Sequence, residues 1–307
     1  MEILLQVLLL ALGFVLLVKG ADWFVDGSAS IAAKFGIPQL IIGLTVVAMG
    51  TSAPEAAVSI SAAFANNADI TIGNVVGSNI MNILIILGLS SVITVLKVAK
   101  STVWIDIPIM VGGTILLLLL GLDGIIGRLD AAIIFACFVT FIIYMIISAK
   151  KSNEQGDNIK VMSIPMSLLF AILGLAMIIA GSQFTVNSAT FLAAKAGVSE
   201  RFIGLTVVAL GTSLPELFTS VMAARKGNAD IAIGNIVGSN IFNILFIVGL
   251  SGLIIPINFQ PQFVFDTLVA LAAAVLLFLL CFRKKQLGKI AGIIMLIGYA
   301  AYFACIV

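Results

Sequence analysis

Long apolar runs separated by short polar connections make up most of the chain. Each run is close to the length that a helix needs to span a bilayer, and none shows the strict alternation of a barrel strand. The pattern therefore predicts an all-α membrane protein with ten transmembrane helices. The expected spans cover roughly 3–20, 38–64, 72–96, 103–121, 129–149, 164–181, 201–224, 233–256, 262–282 and 289–306.

The first and sixth helices are expected to continue beyond their apolar runs. Residues 21–35 and 182–197 keep helical spacing and contain few helix-breaking residues. A helix longer than the bilayer is thick must tilt or protrude. We therefore predict two long, tilted helices at corresponding places in the two halves of the chain.

An internal duplication organises the sequence. A shift of 161 residues aligns 37–93 with 198–254 without a gap, and 35 of the 57 aligned pairs are identical. Each half then holds five helices, and an odd number makes the second half enter the membrane in the opposite sense. The prediction is two inverted-topology five-helix repeats, 1–149 and 164–307, joined by a cytoplasmic linker at 150–163.

Basic residues predict the orientation in the membrane. With the N-terminus outside, twelve Lys and Arg residues fall in inside connections and only Arg128, Lys195 and Arg201 fall in outside connections. Inside connections of membrane proteins carry the excess of basic residues. We therefore expect a multi-pass protein of the plasma or inner membrane, with both termini extracellular or periplasmic.

The composition agrees with a membrane location and narrows the chemistry. Hydrophobic residues make up 62% of the chain and charged residues 10%, and the mean hydropathy is +1.26. Histidine is absent, and Cys137, Cys281 and Cys305 each stand alone in an apolar run. The usual zinc ligands and an imidazole base are therefore missing. We expect no enzyme activity, no cofactor and no nucleic-acid partner; no protein partner is evident, and a monomer is compatible with the sequence.

A proline and an acid interrupt the second apolar run, and the same pair recurs in the seventh. Pro54 precedes Glu55, and Pro215 precedes Glu216. Proline frees a backbone carbonyl in a helix, and an ionisable residue at membrane depth usually marks an ion or substrate path. Helical spacing puts main-chain oxygen, hydroxyl and carboxylate groups on one face of each helix. These candidates are Ala48, Thr51 and Glu55 in the first half and Ala209, Thr212 and Glu216 in the second.

The following helix of each half supplies a second duplicated motif, 73–82 and 234–243. Residues four positions apart share a helix face, so a serine and an asparagine of each motif are expected to point the same way. These are Ser78 with Asn82 and Ser239 with Asn243. The other asparagines of the motifs are expected to point elsewhere and to be structural: Asn74, Asn79, Asn235 and Asn240.

Together the two motifs offer two carboxylates with hydroxyl, amide and carbonyl oxygens. Such hard oxygen ligands suit calcium and sodium but not zinc or copper. Two carboxylates match the charge of one divalent ion, and an empty site would be repulsive and should recruit sodium ions or protons. The sequence therefore predicts one site that competing cations share.

The duplicated motifs closely resemble the two alpha repeats of the cation/calcium antiporter superfamily, in its prokaryotic-type sodium/calcium exchanger branch. The resemblance implies a secondary active antiporter that exports calcium by alternating access, with calcium and sodium as transported ions and the long first and sixth helices sliding. The ligands it implies by position are Glu55, Glu216, Thr51, Thr212, Ala48, Ala209, Ser78, Ser239, Asn82 and Asn243.

Other functions stay open at this point. Relatives that use potassium place an aspartate where Asn243 stands, so the two amides Asn82 and Asn243 argue against potassium, but exchange driven by protons or by sodium plus potassium is the main alternative. A cation channel could also use paired glutamates, although channel rings usually need symmetry about the membrane normal. An intramembrane hydrolase is disfavoured because Ser52 and Ser213 lack a nearby base.

Overall fold

The computed structural model describes residues 2–151, 161–197 and 209–306. Within this part of the chain, seven helices are long and apolar enough to cross a membrane, or eight when one bent pair counts as a single span. The protein is therefore an all-helical membrane protein. Residues 152–160 of the predicted linker and 201–208 of the predicted seventh span lie outside the described residues.

The described residues form twelve helices and four two-residue strands. Several helices contain a π-helical turn: Gly43–Val47, Asn82–Leu87, Thr102–Asp106 and Asn243–Val248. The helices are α1 Glu2–Phe35, α2 Gln39–Thr51, α3 Ala53–Phe64, α4 Ile70–Ile93, α5 Thr102–Gly121, α6 Arg128–Lys151, α7 Ile164–Lys195, α8 Ala209–Thr212, α9 Leu214–Arg225, α10 Ala229–Ile254, α11 Pro261–Cys281 and α12 Lys289–Ile306. The strands are β1 Leu96–Lys97, β2 Ile125–Ile126, β3 Ile257–Asn258 and β4 Gln286–Leu287.

The two central helices are α4 and α10. Their most apolar stretches are 72% and 94% buried, whereas the same measure lies between 17% and 33% for the other long helices. The outer helices expose many large apolar side chains, as expected for surfaces that face lipid. The helices that carry the second duplicated motif therefore form the centre of the molecule.

The expectation of long first and sixth helices is confirmed by α1, with 34 residues, and α7, with 32. Helices of this length extend about 50 Å, well beyond the roughly 30 Å hydrocarbon core. They pack backbone to backbone where glycines meet. A Cβ atom added at Gly174 would lie 2.5 Å from Phe24 N and 2.7 Å from Gly20 O, and one added at Gly181 would lie 2.8 Å from Gly13 O.

The predicted proline breaks are confirmed in both halves. The axis bends by 51° between α2 and α3, where Ser52 leaves helical geometry two residues before Pro54. Ser213 takes the same conformation between α8 and α9. Pro215 has no N–H for the Gly211 carbonyl, and the Ser182 hydroxyl of α7 donates to that carbonyl instead at 2.7 Å. The long helix thus contacts the break directly.

Two antiparallel strand pairs connect the halves of the chain. In the first, β1 pairs with β4, and Leu96 lies opposite Leu287. In the second, β2 pairs with β3, and Ile126 lies opposite Ile257. All four of these side chains are fully buried. Each pair therefore fixes a connection of one half against a connection of the other.

A charged cluster joins α1 to the end of α9. Lys226 Nζ lies 2.7 Å from Asp22 Oδ1 and 2.6 Å from Asp26 Oδ1, and it also donates to the Asp22 carbonyl at 2.9 Å. Both aspartates thus pair with a lysine about 200 positions further along the chain. Sequence spacing alone does not indicate this contact, because it depends on how α1 packs against α9.

We expect Gly174→Ala to destabilise the protein, because the new methyl group must displace backbone atoms of α1. A cost of about 2 kcal/mol would lower the unfolding temperature in detergent by roughly 5 °C. The control is Gly112→Ala in α5, where an added Cβ meets no described atom within 4 Å. Equal unfolding temperatures for the two variants would contradict the close crossing of α1 and α7.

Lys226→Ala should also destabilise the protein, since it leaves Asp22 and Asp26 without their cation. Because both aspartates keep contact with solvent, we expect a loss of only about 1 kcal/mol. Arg225→Ala removes the same charge from the exposed neighbouring position and is the matched control. A thermal shift assay should separate the two variants, and identical curves would mean that the ion pairs do not hold α1 to α9.

Candidate ion-binding site

Two glutamates are buried in the centre of the molecule. Glu55 lies in the first turn of α3 and Glu216 in the first turn of α9, and their exposed fractions are 0% and 1%. Ser52, three positions before Glu55, donates a hydrogen bond to Glu216, so the two glutamates belong to one cluster. The proline before each glutamate starts the helix, so each carboxylate lies at the positive end of a helix dipole.

Glu216 is bound by a serine of the other half. Ser52, at the break between α2 and α3, donates from Oγ to Glu216 Oε1 at 2.7 Å. The hydroxyls of Thr51 and Ser239 lie near the same carboxylate. The sequence interpretation treated Ser52 only as a possible nucleophile and missed this contact. The sequence feature that could have identified Ser52 is its position in the duplicated motif, next to Thr51 and at the helix break.

Glu55 has a corresponding but looser environment. Ser78 donates from Oγ to Glu55 Oε1 at the long distance of 3.5 Å, and the half-buried Thr212 lies near this carboxylate. Ser213 is the counterpart of Ser52, and its buried hydroxyl has no partner among the described residues. Hydroxyls from both halves of the chain therefore surround the pair of glutamates.

Two asparagines hold the backbone at the glutamates. Asn74 Nδ2 donates to the Glu55 carbonyl at 3.1 Å, and Asn235 Nδ2 donates to the Glu216 carbonyl at 3.4 Å. Thr51 Oγ1 donates to Asn235 Oδ1 at 2.9 Å, which connects the first break to the second half. The structural role predicted for both asparagines agrees with these bonds. They fix the helix turns from which the carboxylates project.

The predicted main-chain ligands occupy different settings. The Ala48 carbonyl accepts the Ser52 N–H at 3.0 Å and the Ser239 hydroxyl at 3.4 Å, so it already has protein donors. Ala209 begins α8 directly after 198–208, which lie outside the described residues. The structure thus brings Ala48 to the centre, while it leaves the surroundings of Ala209 undescribed.

Asn82 and Asn243 begin the π-helical turns of α4 and α10 and are 1% and 0% exposed. Their side-chain nitrogens donate to Asn240 Oδ1 at 2.9 Å and to Asn79 Oδ1 at 3.0 Å, respectively. The prediction that Asn79 and Asn240 point away from the candidate ligands was therefore wrong. Periodicity describes one helix at a time, whereas these contacts arise where α4 crosses α10.

Four buried oxygens of the predicted ligand residues have no hydrogen-bond partner in the described part of the chain. They are Glu55 Oε2, Glu216 Oε2, Asn82 Oδ1 and Asn243 Oδ1.

An unpaired buried acceptor is costly, and a hard cation can satisfy several such oxygens at once. Among the described residues, no group of three or more His, Cys, Asp or Glu side chains comes together. A cation at the centre would therefore depend on two carboxylates and on neutral oxygens. This donor set fits one calcium ion or sodium ions, and it lacks the softer ligands of zinc or copper.

Comparison with known proteins agrees with this chemistry. A family model described as sodium/calcium exchanger protein matches residues 5–150 and 166–307. The inner membrane protein YrbG of Escherichia coli is 36% identical, over 98% of this chain and 96% of its own length. The sodium/calcium exchanger MaX1 of Methanosarcina acetivorans is 31% identical, over 96% of both chains.

A solved structure has the same fold. The sodium-calcium exchanger NCX_Mj, soaked with Na+ and Sr2+, superposes with a TM-score of 0.87 at 32% identity and covers 98% of this chain and 99% of its own. Sequence and structure therefore agree from end to end, and the chain belongs to the sodium/calcium exchanger family of membrane antiporters.

Proposed function

We propose that this chain is a secondary active antiporter that exports calcium in exchange for sodium by alternating access. The observation that carries the proposal is the set of four unpaired buried oxygens on Glu55, Glu216, Asn82 and Asn243. They belong to two carboxylates and two amides, and we propose that these oxygens surround one position. One calcium ion neutralises the charge of the two carboxylates, and sodium ions compete for the same oxygens.

In this proposal the two glutamates are the central ligands of both ions. Thr51 and Thr212 add hydroxyl and carbonyl oxygens, Ala48 and Ala209 add main-chain carbonyls, Ser78 and Ser239 serve peripheral sodium positions, and Asn82 and Asn243 line the middle. The hydrogen bonds of Ser52 to Glu216 and of Ser78 to Glu55 support this assignment, since they hold one oxygen of each carboxylate and leave the other available.

We infer ten transmembrane helices in two inverted five-helix repeats, 1–149 and 164–307, with 150–163 as the cytoplasmic linker. The recurrence of elements at the same 161-residue offset supports this arrangement: β3 follows β1, and α9 follows α3, at that spacing. The distribution of basic residues supports external termini in the plasma or inner membrane. The lipid bilayer and the two ions are the proposed partners.

The burial of the site supports alternating access. Glu55, Glu216, Asn82 and Asn243 are at most 1% exposed, so an ion can reach them only if part of the protein moves. We propose that α1 and α7 slide as a pair against the central helices. Their mutual packing at glycines makes them one unit, and contacts such as Ser182 to the Gly211 carbonyl couple that unit to the helix breaks.

We expect calcium uptake into membrane vesicles to require sodium inside and an outward sodium gradient. Sodium-loaded vesicles would be diluted into sodium, potassium or choline media with radioactive calcium, with any proton gradient collapsed. Uptake in choline but not in sodium medium is the expected result. Uptake that ignores sodium and follows an imposed pH gradient would contradict the sodium assignment, and uptake that does not saturate would indicate a channel.

Glu55→Gln and Glu216→Gln should each reduce calcium uptake at least tenfold, because a single remaining carboxylate cannot balance a divalent ion. Calcium should raise the unfolding temperature of the unmodified protein, since a ligand stabilises the state that binds it, and should not do so in either variant.

Glu2→Gln is the matched control, because it makes the same chemical change at an exposed residue near the N-terminus. We expect it to retain both uptake and stabilisation by calcium. Near-normal uptake by a folded Glu216→Gln variant would exclude the proposed site.

A further inference from the structure

Four asparagines form a hydrogen-bonded group where α4 crosses α10. We call it the asparagine tetrad: Asn79, Asn82, Asn240 and Asn243, whose exposed fractions are 3%, 1%, 1% and 0%. Only Asn82 and Asn243 belong to the proposed ligand set. The other two contact these ligands and have no role in the function proposed so far.

Backbone carbonyls fix the orientation of Asn79 and Asn240. Asn79 Nδ2 donates to the Asn240 carbonyl at 3.2 Å, and Asn240 Nδ2 donates to the Asn79 carbonyl at 3.2 Å. A carbonyl oxygen only accepts hydrogen bonds, so each amide must present its nitrogen to it. The Oδ1 atoms of both residues must then point in the opposite direction.

Those two oxygens in turn orient the ligands. Asn79 Oδ1 accepts from Asn243 Nδ2 at 3.0 Å, and Asn240 Oδ1 accepts from Asn82 Nδ2 at 2.9 Å. An oxygen cannot donate, so Asn243 and Asn82 must present nitrogen here. Their own Oδ1 atoms are left without a partner among the described residues.

The turns that begin at the oriented amides pack against the helices that carry the glutamates. The π-helical turn that begins at Asn243 packs against α3, the helix of Glu55. The turn that begins at Asn82 packs against α9, the helix of Glu216. An amide that turned around would direct N–H groups, with their positive partial charge, into the region where a cation would bind.

We propose that Asn79 and Asn240 are positioning residues for ion affinity, each of which holds one ligand amide with its oxygen toward the cation. Asn79 orients Asn243, and Asn240 orients Asn82. The inference rests on the proposed function and adds to it a pair of residues that do not touch the ion. The arrangement supplies two neutral oxygens to the cation. The net charge of the site then comes from its two glutamates alone.

A double-mutant cycle tests this role. Asn79→Ala should raise the dissociation constant for calcium about tenfold, measured by calorimetry on the purified full-length protein. Asn243→Ser supplies a hydroxyl that both donates and accepts and needs no fixed orientation. In that background, Asn79→Ala should change the dissociation constant by less than about twofold.

The matched control is the same Asn79→Ala change in the Asn82→Ser background, where about a tenfold loss should persist because Asn240 orients Asn82. The mirror cycle, Asn240→Ala with Asn82→Ser, gives an independent second test. Equal losses in the Asn243→Ser and Asn82→Ser backgrounds would overturn the proposal, because packing alone predicts that result.

Folding and the basic function are checked in the same experiment. Unfolding temperatures without calcium report whether each variant folds, and failure of both alanine variants to fold would also overturn the proposal, since the tetrad would then only hold α4 to α10. If the unmodified protein bound no calcium, the proposed function itself would fail. Calcium binding that is lost in Glu216→Gln but shows no coupling within the tetrad would overturn the positioning role alone.

Discussion

Two buried carboxylates impose the main constraint on this structure. Glu55 and Glu216 have almost no contact with solvent, and a hydrogen bond from Ser52 links Glu216 to the helix break next to Glu55. Such a pair is costly in a low-dielectric interior unless nearby groups or a cation compensate for it. The Ser52 and Ser78 hydroxyls compensate one oxygen of each carboxylate, and the helix dipoles of α3 and α9 favour negative charge at these positions.

The rest of the centre is arranged around the oxygens that stay unpaired. The proline breaks begin new helices at the glutamates, and the asparagines of α4 and α10 hold both the backbone and the neighbouring amides. Neutral donors thus satisfy one oxygen of each carboxylate and leave the other unpaired among the described residues. The acceptors that remain are oxygens, the ligands that a hard cation prefers, and in the proposed function an entering ion would offset the cost of burying them.

Much of this was predictable from the sequence, because it depends on local rules. The duplicated Pro-Glu motif indicated the breaks at Ser52 and Ser213, and helical spacing beyond the apolar runs indicated the length of α1 and α7.

Contacts between distant helices were not predictable in the same way. Ser52 binds the glutamate of the other half, Lys226 pairs with aspartates of α1, and Asn79 faces Asn240. Periodicity tells which residues share a face but not which faces meet, and a single sequence contains no direct record of that packing.

The most direct test of the central claim is to locate calcium in the protein. Crystals soaked with calcium would be measured at long wavelength, and an anomalous difference map would show the ion. We expect one strong peak within about 2.3–2.6 Å of Glu55 Oε2 and Glu216 Oε2, with Asn82 Oδ1 and Asn243 Oδ1 at its side. A peak elsewhere, with the four oxygens still unpaired, would contradict the claim that these two glutamates form the calcium site.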